Sequence, residues 1–215
     1  MKRTPAHARR IAVIGAGGHG RVVADIAAAL GYAEIVFIDR RWPEQTSNHI
    51  WPVISQDVAQ ALAPETDTVV AIGQCRTRLA LLRDLQARRA SIATLIHPAA
   101  VVSPHAIIGL GSVVMPEAVI NVGARLGAGC IANTACSIDH DCQIADGVHV
   151  SPGAHLAGGV TVGEASWVGI GSAVIEGMTL GRDVMVAAGA VVTTALADGV
   201  TVYGVPARPM AEKGQ

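Results

Sequence analysis

Aromatic and charged side chains are both scarce in this sequence. Phe, Trp and Tyr make up 3% of the 215 residues and charged residues 15%, whereas apolar residues reach 51%. This composition excludes an intrinsically disordered chain. With so few aromatics beside 24 glycines, the core must be filled by Val, Ile, Leu and Ala, which indicates a thin, regular architecture. The sparse charge also indicates that other subunits cover much of the surface.

No large excess of one charge occurs. The formal net charge is −1, and basic residues cluster only in the short N-terminal stretch that holds Lys2, Arg3, Arg9 and Arg10. Proteins that bind nucleic acid usually carry an extended basic surface. We therefore expect no nucleic-acid partner.

Long uninterrupted apolar segments are also missing. Residues 90–116 lack Asp, Glu, Lys and Arg, but prolines and histidines break the segment, so we expect no membrane-spanning helix. The apolar stretch near the N-terminus is interrupted by glycines and Asp25 and precedes no convincing cleavage site of a signal peptide. The four cysteines form no CxxC pair, which fits a reducing compartment. We expect a cytoplasmic protein.

A six-residue repeat is the strongest pattern present. Every sixth residue from Ile96 to Val192 is aliphatic, and four residues after each one lies a small or apolar residue. Two inward positions per hexapeptide predict a parallel β-helix, in which a triangular coil takes about 18 residues and pairs with the coils above and below. Cys130, Cys136 and Cys142 share the second inward position, which indicates a structural role for them.

Small or polar residues often follow the aliphatic position directly. We expect sharp corners with unusual backbone angles there, because Gly, Asn and Asp tolerate such angles best. The residues concerned are Gly109, Asn121, Gly127, Asn133, Asp139, Gly163, Gly169 and Gly181.

Residues 1–95 follow a different pattern. Apolar periodicity predicts strands at 10–14, 35–38, 68–72 and 91–96, and helices at 22–30 and 76–89. Gly15, Gly17 and Gly20 form a G-x-G-x-x-G motif between the first strand and the first helix. The fold class is thus α/β plus all-β, with a small Rossmann-like parallel domain at 1–95 and a β-helix at 96–215.

The glycine motif indicates a phosphate site. Its glycines let a phosphate approach backbone amides at a helix N-terminus, and Asp39 at the end of the second strand can accept hydrogen bonds from a ribose or a base. NAD normally needs two βαβ halves, and only one fits before the repeats, which favours a single nucleotide. An NAD-dependent oxidoreductase stays an alternative.

The chain resembles a known family over nearly its whole length. The resemblance is carried by residues 17–20 (Gly-Gly-His-Gly), Asp39, Asn133, residues 138–142 (Ile-Asp-His-Asp-Cys) and residues 203–207 (Tyr-Gly-Val-Pro-Ala). These motifs look like those of bacterial nucleotide-sugar N-acetyltransferases with a left-handed β-helix. The family includes bacillosamine N-acetyltransferase and sialic acid O-acetyltransferase, and the overall resemblance favours GDP-perosamine N-acetyltransferase.

This resemblance implies a function for each domain. Residues 1–95 would bind the nucleotide sugar and residues 96–215 would form a left-handed acetyltransferase domain. Acetyl-CoA would be the donor, with no metal, and the 4-amino group of a nucleotide-linked sugar the acceptor, GDP-perosamine being favoured. The resemblance also implies a homotrimer with active sites between subunits and a role in lipopolysaccharide biosynthesis.

The same resemblance assigns roles to individual residues. His140 would be the general base of a direct transfer and Asp141 would tune it. Residues that match substrate-binding positions are Gly17, Gly18, His19, Asp39, Arg40, Gly73 and Asn133. Residues that match positions in contact with acetyl-CoA are His149, Ile170 and Ala188. Gly158 would be their neighbour and is a candidate source of an oxyanion-stabilising N–H.

The repeat register offers a check on these assignments. Ile170 and Ala188 should stack one coil apart on one face, and Trp167 should lie above His149, so a pantetheine arm along the axis would touch this column. His140 falls on a different face. Donor and base would then come from adjacent subunits.

Several alternatives stay open. His149 and His155 could bind zinc across an interface, as in trimeric carbonic anhydrases of the hexapeptide type. Cys142 could carry the acyl group, although its inward register argues against it. A UDP-4-amino-sugar N-acetyltransferase, a sialic acid O-acetyltransferase and a non-catalytic nucleotide-sugar sensor are further possibilities, and the role of Cys75 is open.

Overall fold

The structure, a computed structural model, describes residues 9–210. The chain divides into two compact units, the first ending at Pro98 and the second beginning at Ala99.

The first unit is built on a mainly parallel sheet. Its strands are β1 (Arg10–Ile14), β2 (Glu34–Ile38), β3 (Ser47–Asn48), β4 (Trp51–Ser55), β5 (Thr66–Val70) and β6 (Ser91–Ile92), in the order β3-β4-β2-β1-β5-β6. Helices α1 (Gly18–Ala29) and α2 (Cys75–Ala87), a 3-10 helix (Val58–Leu62) and the short strand β7 (Leu95–Ile96) complete it. Only β3 and β4 pair antiparallel. The predicted α/β class is confirmed.

The element boundaries differ from the predicted ones at several places. The strand predicted at 68–72 is β5 (Thr66–Val70), the one predicted at 91–96 is split into β6 and β7, and α2 ends at Ala87 rather than at residue 89. Helix α1 begins at Gly18 rather than at residue 22, because the last residues of the glycine motif already belong to its first turn. The β3–β4 hairpin was not predicted. Pro52 lies within β4, and proline argues against a strand interior, but β4 tolerates it next to the two-residue strand β3.

The second unit is a left-handed parallel β-helix, as predicted. Its two-residue strands, β8 to β23, are Val101–Val102, Ile107–Ile108, Val113–Val114, Val119–Ile120, Arg125–Leu126, Ile131–Ala132, Ser137–Ile138, Gln143–Ile144, His149–Val150, His155–Leu156, Thr161–Val162, Trp167–Val168, Ala173–Val174, Thr179–Leu180, Met185–Val186 and Val191–Val192. Strands β24 (Thr201–Tyr203) and β25 (Arg208–Pro209) follow.

These strands stack into three sheets. One sheet runs β8-β11-β14-β17-β20-β23, a second runs β9-β12-β15-β18-β21, and the third contains β10-β13-β16-β19-β22-β24-β25. Every third strand therefore pairs with its equivalent in the next coil, as His149 does with Trp167. All of these pairs are parallel except β24 with β25.

The inward positions of the repeat are as predicted. Every sixth residue from Val114 to Val192 is buried, whereas Val102 and Ile108 in the first coil are only half-buried. Cys130, Cys136 and Cys142 are fully enclosed at the second inward position. Stacked aliphatic and small side chains thus form a narrow core, which explains why the chain needs so few aromatic residues.

The predicted location of the unusual backbone angles is wrong. Positive φ occurs three residues after the aliphatic position, for example at Gly111, Ala135 and Asp141, and not directly after it. Glycines directly after the aliphatic position have a different cause: a Cβ on Gly163 would lie 2.5 Å from the carbonyl oxygen of Gly181 in the next coil. Close stacking of coils, rather than φ, requires glycine there.

Candidate active site

The glycine motif forms a tight loop at the start of α1. Gly15 has a φ of +109°, and a Cβ there would approach the carbonyl oxygen of Ala71 at 2.8 Å. A Cβ on Gly20 would collide with the carbonyl oxygen of Gly15. By contrast, a Cβ on Gly17 or Gly18 would meet nothing within 4 Å. The backbone at Gly17 and Gly18 is therefore open to a ligand, whereas Gly15 and Gly20 are required by close packing.

Asp39 clamps this loop to the end of β2. Its carboxylate accepts hydrogen bonds from the backbone N–H of Ala16 at 2.6 Å and from both the backbone N–H and Nε of Arg41 at 2.9 Å. Burial raises the pKa of Asp39, but these hydrogen bonds and the Arg41 charge outweigh it and bring the pKa to about 2. Asp39 thus holds the loop as an anion, in addition to the ligand-binding role that the sequence predicts.

The sequence reasoning missed three side chains that support the loop, Arg41, Asn48 and Gln45, the last of which donates to the Ala16 carbonyl at 3.2 Å. Arg41, rather than its neighbour Arg40, pairs with Asp39 and also donates to the Ala16 carbonyl at 2.8 Å. Asn48, buried on β3, donates to the Gly17 carbonyl at 3.0 Å and accepts from Arg21. The sequence feature that could have indicated this role of Arg41 is its position two residues after Asp39, at the end of β2.

A cavity of about 680 Å³ opens at the carboxyl ends of β1, β2 and β5. This edge is where parallel α/β sheets commonly bind ligands. Six predicted substrate-binding residues lie together along its wall: Gly17, Gly18, His19, Asp39, Arg40 and Gly73. Gln56, Val58, Thr77 and Leu81 also line it, and none of these was predicted.

His19 presents a neutral imidazole to this cavity. Burial, with a smaller contribution from the Arg78 cation, lowers the pKa of His19 to about 4. Arg78 is itself buried and donates to the carbonyls of Ile72 and Gly73 at 2.8 Å. The guanidinium therefore fixes the strand end that forms one wall of the cavity.

In the β-helix, His140 and Asp141 form an exposed pair. His140 Nδ1 lies 2.9 Å from Asp141 Oδ2. A carboxylate only accepts hydrogen bonds, so Nδ1 carries the proton and the lone pair on Nε2 is free. The hydrogen bond to Asp141 raises the pKa of His140. Burial opposes this effect, and the charges of Asp139 and Asp141 add smaller contributions that raise the pKa. This arrangement produces a stronger base with a defined free nitrogen.

The backbone around the pair is held from the coil below. The carboxylate of Asp139 accepts from the His140 N–H at 2.7 Å and from Asn121 Nδ2 at 2.8 Å. Asp141 has a φ of 61°, which turns its side chain back toward the His140 ring, and its N–H donates to the Val122 carbonyl. Asp139 and Asn121 thus orient the pair without belonging to it.

Three of the predicted acetyl-CoA residues lie elsewhere in the β-helix, with His149 on β16, Ile170 in the turn after β19 and Ala188 in the turn after β22. His149 is 6% exposed, with its ring centroid 4.5 Å from that of Trp167 and its Nε2 3.0 Å from Asn133 Nδ2. Trp167 lies one coil above His149, as the register predicts. Ile170 and Ala188 are exposed one coil apart, with the Ile170 carbonyl accepting from the N–H of Gly189.

Cysteine has no exposed thiol in the described part of the chain. Cys142 is buried, its Sγ lies 3.2 Å from the Ala157 carbonyl, and burial raises the pKa of its thiol. Cys75, at the start of α2, is buried as well. A buried protonated thiol is a poor nucleophile, so the geometry favours the structural role of Cys142.

Two further findings concern alternatives weighed above. Among residues 9–210, no three His, Cys, Asp or Glu side chains are grouped so that they could hold a metal ion, and His155 Nδ1 instead lies 2.8 Å from Ser137 Oγ. Across the same residues, no helix has both the length and the apolar character needed to cross a membrane.

The order of the two units defines the class of the protein. A Rossmann-like unit with an open glycine loop precedes a left-handed β-helix with an exposed His–Asp pair, and this combination is that of the β-helical acyltransferases. Residues 10–85 match the family model described as the PglD N-terminal domain. UDP-N-acetylbacillosamine N-acetyltransferase of Bacillus subtilis (strain 168) is 36% identical over 107 residues. That match covers 48% of this chain and 50% of the relative, so the chain spans about half the length of this curated relative.

Solved structures match over most of both chains. The acetyltransferase domain of PglB from Neisseria gonorrhoeae FA1090 is 47% identical, with a TM-score of 0.91, and the match covers 94% of this chain and 100% of that one. PerB from Caulobacter crescentus, solved in complex with CoA and GDP-perosamine, is 37% identical with a TM-score of 0.88, over 94% of this chain and 97% of that one. The chain therefore belongs to the family of nucleotide-sugar N-acetyltransferases.

Proposed function

We propose that the protein transfers the acetyl group of acetyl-CoA to the 4-amino group of a nucleotide-linked amino sugar, with His140 as general base. The observation that carries this proposal is the His140–Asp141 pair, in which Nδ1 is bonded to the carboxylate and Nε2 is free on an exposed ring. An attacking amine must lose a proton as it bonds to the thioester carbonyl. A histidine with a raised pKa and one free nitrogen is suited to accept it.

The nucleotide sugar would bind in the cavity of the first unit. Its phosphates would meet the open backbone at Gly17 and Gly18, where the N-terminus of α1 favours an anion. Arg40 lies on the same wall and can donate to a phosphate or a base. Neutral His19 can hydrogen-bond without adding charge. Similar proteins support this ligand class, since PerB was solved with GDP-perosamine.

Acetyl-CoA would bind along the exposed column of Ile170 and Ala188 in the β-helix. Small and apolar exposed side chains one coil apart suit an extended pantetheine arm. His149 and Trp167, which pack on one another in the same sheet, would shape the wall next to that column. The PglB acetyltransferase domain was solved in complex with acetyl coenzyme A, which supports this donor.

The reaction would proceed by direct transfer. The sugar amine attacks the thioester carbonyl, Nε2 of His140 accepts the amine proton, and the tetrahedral intermediate collapses with release of the CoA thiolate. Within residues 9–210 the N–H of Gly158 donates to no acceptor, which makes it a candidate donor to the oxyanion. Asp141 stabilises the imidazolium that forms. No metal and no acyl-cysteine takes part.

We also infer a homotrimer with shared active sites. Exposed apolar side chains on the β-helix, among them Val101, Ile107, Val122 and Met185, support burial by other subunits. A site shared between subunits would bring His140 near the donor column, which belongs to a different sheet. A cytoplasmic location and a role in lipopolysaccharide biosynthesis stay predictions.

The proposed activity can be tested with a substrate panel. GDP- and UDP-linked 4-amino sugars, the matching 4-hydroxy sugars and sialic acid would be assayed for release of CoA thiol, with the product mass checked. We expect thiol release only with the 4-amino sugars, GDP-perosamine foremost. Release with sialic acid or a 4-hydroxy sugar alone would identify an O-acetyltransferase. Tight ligand binding without any thiol release would identify a sensor.

The pH dependence tests the role of Asp141. His140 accepts a proton only when neutral, and its pKa is raised above 6.5, so kcat/KM should rise with pH with a midpoint above pH 6.5. Asp141→Asn removes the partner charge, which should move this midpoint to lower pH and reduce the high-pH plateau about 10- to 100-fold.

Asp183→Asn is the matched control, since Asp183 occupies the same repeat position as Asp141 with a similar φ, 56° against 61°. Its profile should match that of the wild type. If the rise of kcat/KM with pH had the same midpoint in Asp141→Asn as in the wild type, the tuning role of Asp141 would be contradicted.

A further inference from the structure

Gly158 breaks a pattern of the repeat. It lies two residues after an inward aliphatic residue. In all the remaining hexapeptides from Pro98 to Thr194, this position carries a side chain. One coil below, the equivalent residue is His140, and one coil above it is Glu176. The absence of a side chain at Gly158 therefore needs a local reason.

The backbone does not supply that reason. Gly158 does not have the positive φ that requires glycine, whereas its neighbour Gly159 does, with a φ of +69°. Alanine occupies the same repeat position at Ala128 and Ala188. The β-helix itself would therefore accept a methyl group at this position.

The ring of His140 fills the space instead. A Cβ on Gly158 would lie 2.5 Å from His140 Cε1 and 3.1 Å from Cδ2, and closer still to Nε2. The ring is the exposed end of a side chain and can rotate, but its Nδ1 is bonded to Asp141 and the backbone N–H of His140 to Asp139. A methyl group would have to break the first of these bonds or displace the ring.

The coil below meets the pair in a similar way. A Cβ on Gly123 would lie 2.5 Å from Asp141 Oδ1. The His140–Asp141 pair thus lies between two glycines of neighbouring coils. Gly123 has a φ of +76°, which favours glycine in any case, so Gly158 is the more informative of the two.

We propose that Gly158 is a positioning residue, whose missing side chain seats the His140 ring against Asp141 and leaves Nε2 open to the acceptor amine. The expected effect on kinetics rests on the proposed function. The position of the ring against Gly158 and Asp141 does not depend on that function. Gly158 would then have two roles. Its N–H is the candidate oxyanion donor, and the absence of a side chain leaves room for the His140 ring.

The first test is Gly158→Ala. We expect kcat to fall on the order of 10²-fold, because a displacement of about 1 Å at a reacting group has this effect, while the KM values for both substrates change little. Gly177→Ala is the control, since a Cβ there meets nothing within 4 Å and alanine has a similar φ at Ala135 and Ala165. The control should retain wild-type kcat. A wild-type kcat in Gly158→Ala would overturn the proposal.

A double-mutant cycle separates positioning from loss of fold. If Gly158 acts through His140, Gly158→Ala should cost almost nothing further in a chain that already carries His140→Ala. Multiplicative losses in the double variant would mean that Gly158 acts independently of the ring, and would overturn the proposal. Thermal unfolding of all variants shows whether the trimer or fold has been lost.

A readout that needs no activity completes the test. The His140 ring in the full-length protein can be titrated by NMR, with Asp139 and Asp141 as the charged groups that face it. In Gly158→Ala the pKa of His140 should fall toward its ordinary value, because the bond to Asp141 is disturbed. An unchanged titration would overturn the seating. If no acceptor is acetylated by the wild type but the titration shifts as expected, the proposed function fails and the seating stands.

Discussion

Replacing His140 with Asn should lower kcat by roughly 10² to 10⁴, the usual contribution of a positioned acid or base. Asparagine keeps a polar side chain at this exposed position but has no lone pair basic enough to take the amine proton. Both substrates should still bind, because no contact of the glycine loop or of the Ile170 column depends on the imidazole. Steady-state kinetics with calorimetry of each ligand would measure both effects.

His155→Asn is the control for this experiment. His155 is an exposed histidine on β17, which pairs with the strand just before His140. It is bonded to Ser137 and lies outside the proposed machinery. Its variant should turn over at the wild-type rate. The remaining activity of His140→Asn should come from holding amine and thioester together. Wild-type turnover of His140→Asn from pH 6 to 9 would place the base elsewhere, with His149 as the next candidate.

Replacing Asp39 with Ala should weaken nucleotide-sugar binding by about 10- to 100-fold and leave acetyl-CoA binding unchanged. The carboxylate is the shared acceptor for the Ala16 N–H and for Arg41. Removing it leaves the partly buried Ala16 N–H without a partner, at about 1–3 kcal/mol, and about 1.4 kcal/mol corresponds to a factor of ten in affinity. The glycine loop would no longer be held in its binding shape.

Asp84→Ala is the matched control for this substitution. Asp84 forms an exposed ion pair with Arg88 on α2, so its loss should change neither affinity. Calorimetry with the nucleotide sugar and with acetyl-CoA would test both variants. An unchanged nucleotide-sugar affinity in Asp39→Ala would contradict the clamp, and an equal loss of affinity for both ligands would indicate general unfolding.

The β-helix could be predicted because each coil repeats the geometry of the last. One set of inward positions, such as Val150 and Val168, must be apolar in every coil. The fold therefore produces a regular six-residue repeat of apolar residues in the sequence. The same period correctly placed Trp167 above His149. Nothing comparable marks the β3–β4 hairpin, whose strands are short and contain Pro52.

Glycine was the residue type most easily misread. In the β-helix alone it has three separate causes: positive φ, as at Gly111; close stacking of coils, as at Gly163; and room for a neighbouring ring, as at Gly158. The sequence shows the same letter in each case. Conversely, Ala135 and Asp141 have the left-handed backbone without being glycine. Only atomic positions distinguish these cases.

By itself, the sequence determined the two-part α/β and β-helix architecture, the inward burial of the cysteines, and the candidate residues of both sites. The architecture and the burial follow from local periodicity, whereas the candidate residues follow from the resemblance of short motifs to those of a known family. Only the tertiary structure decided that Asp39 closes on Ala16 and Arg41, and that His140 rests over Gly158. Contacts of this kind depend on the distance between residues far apart in the chain, which packing sets and a linear pattern does not encode.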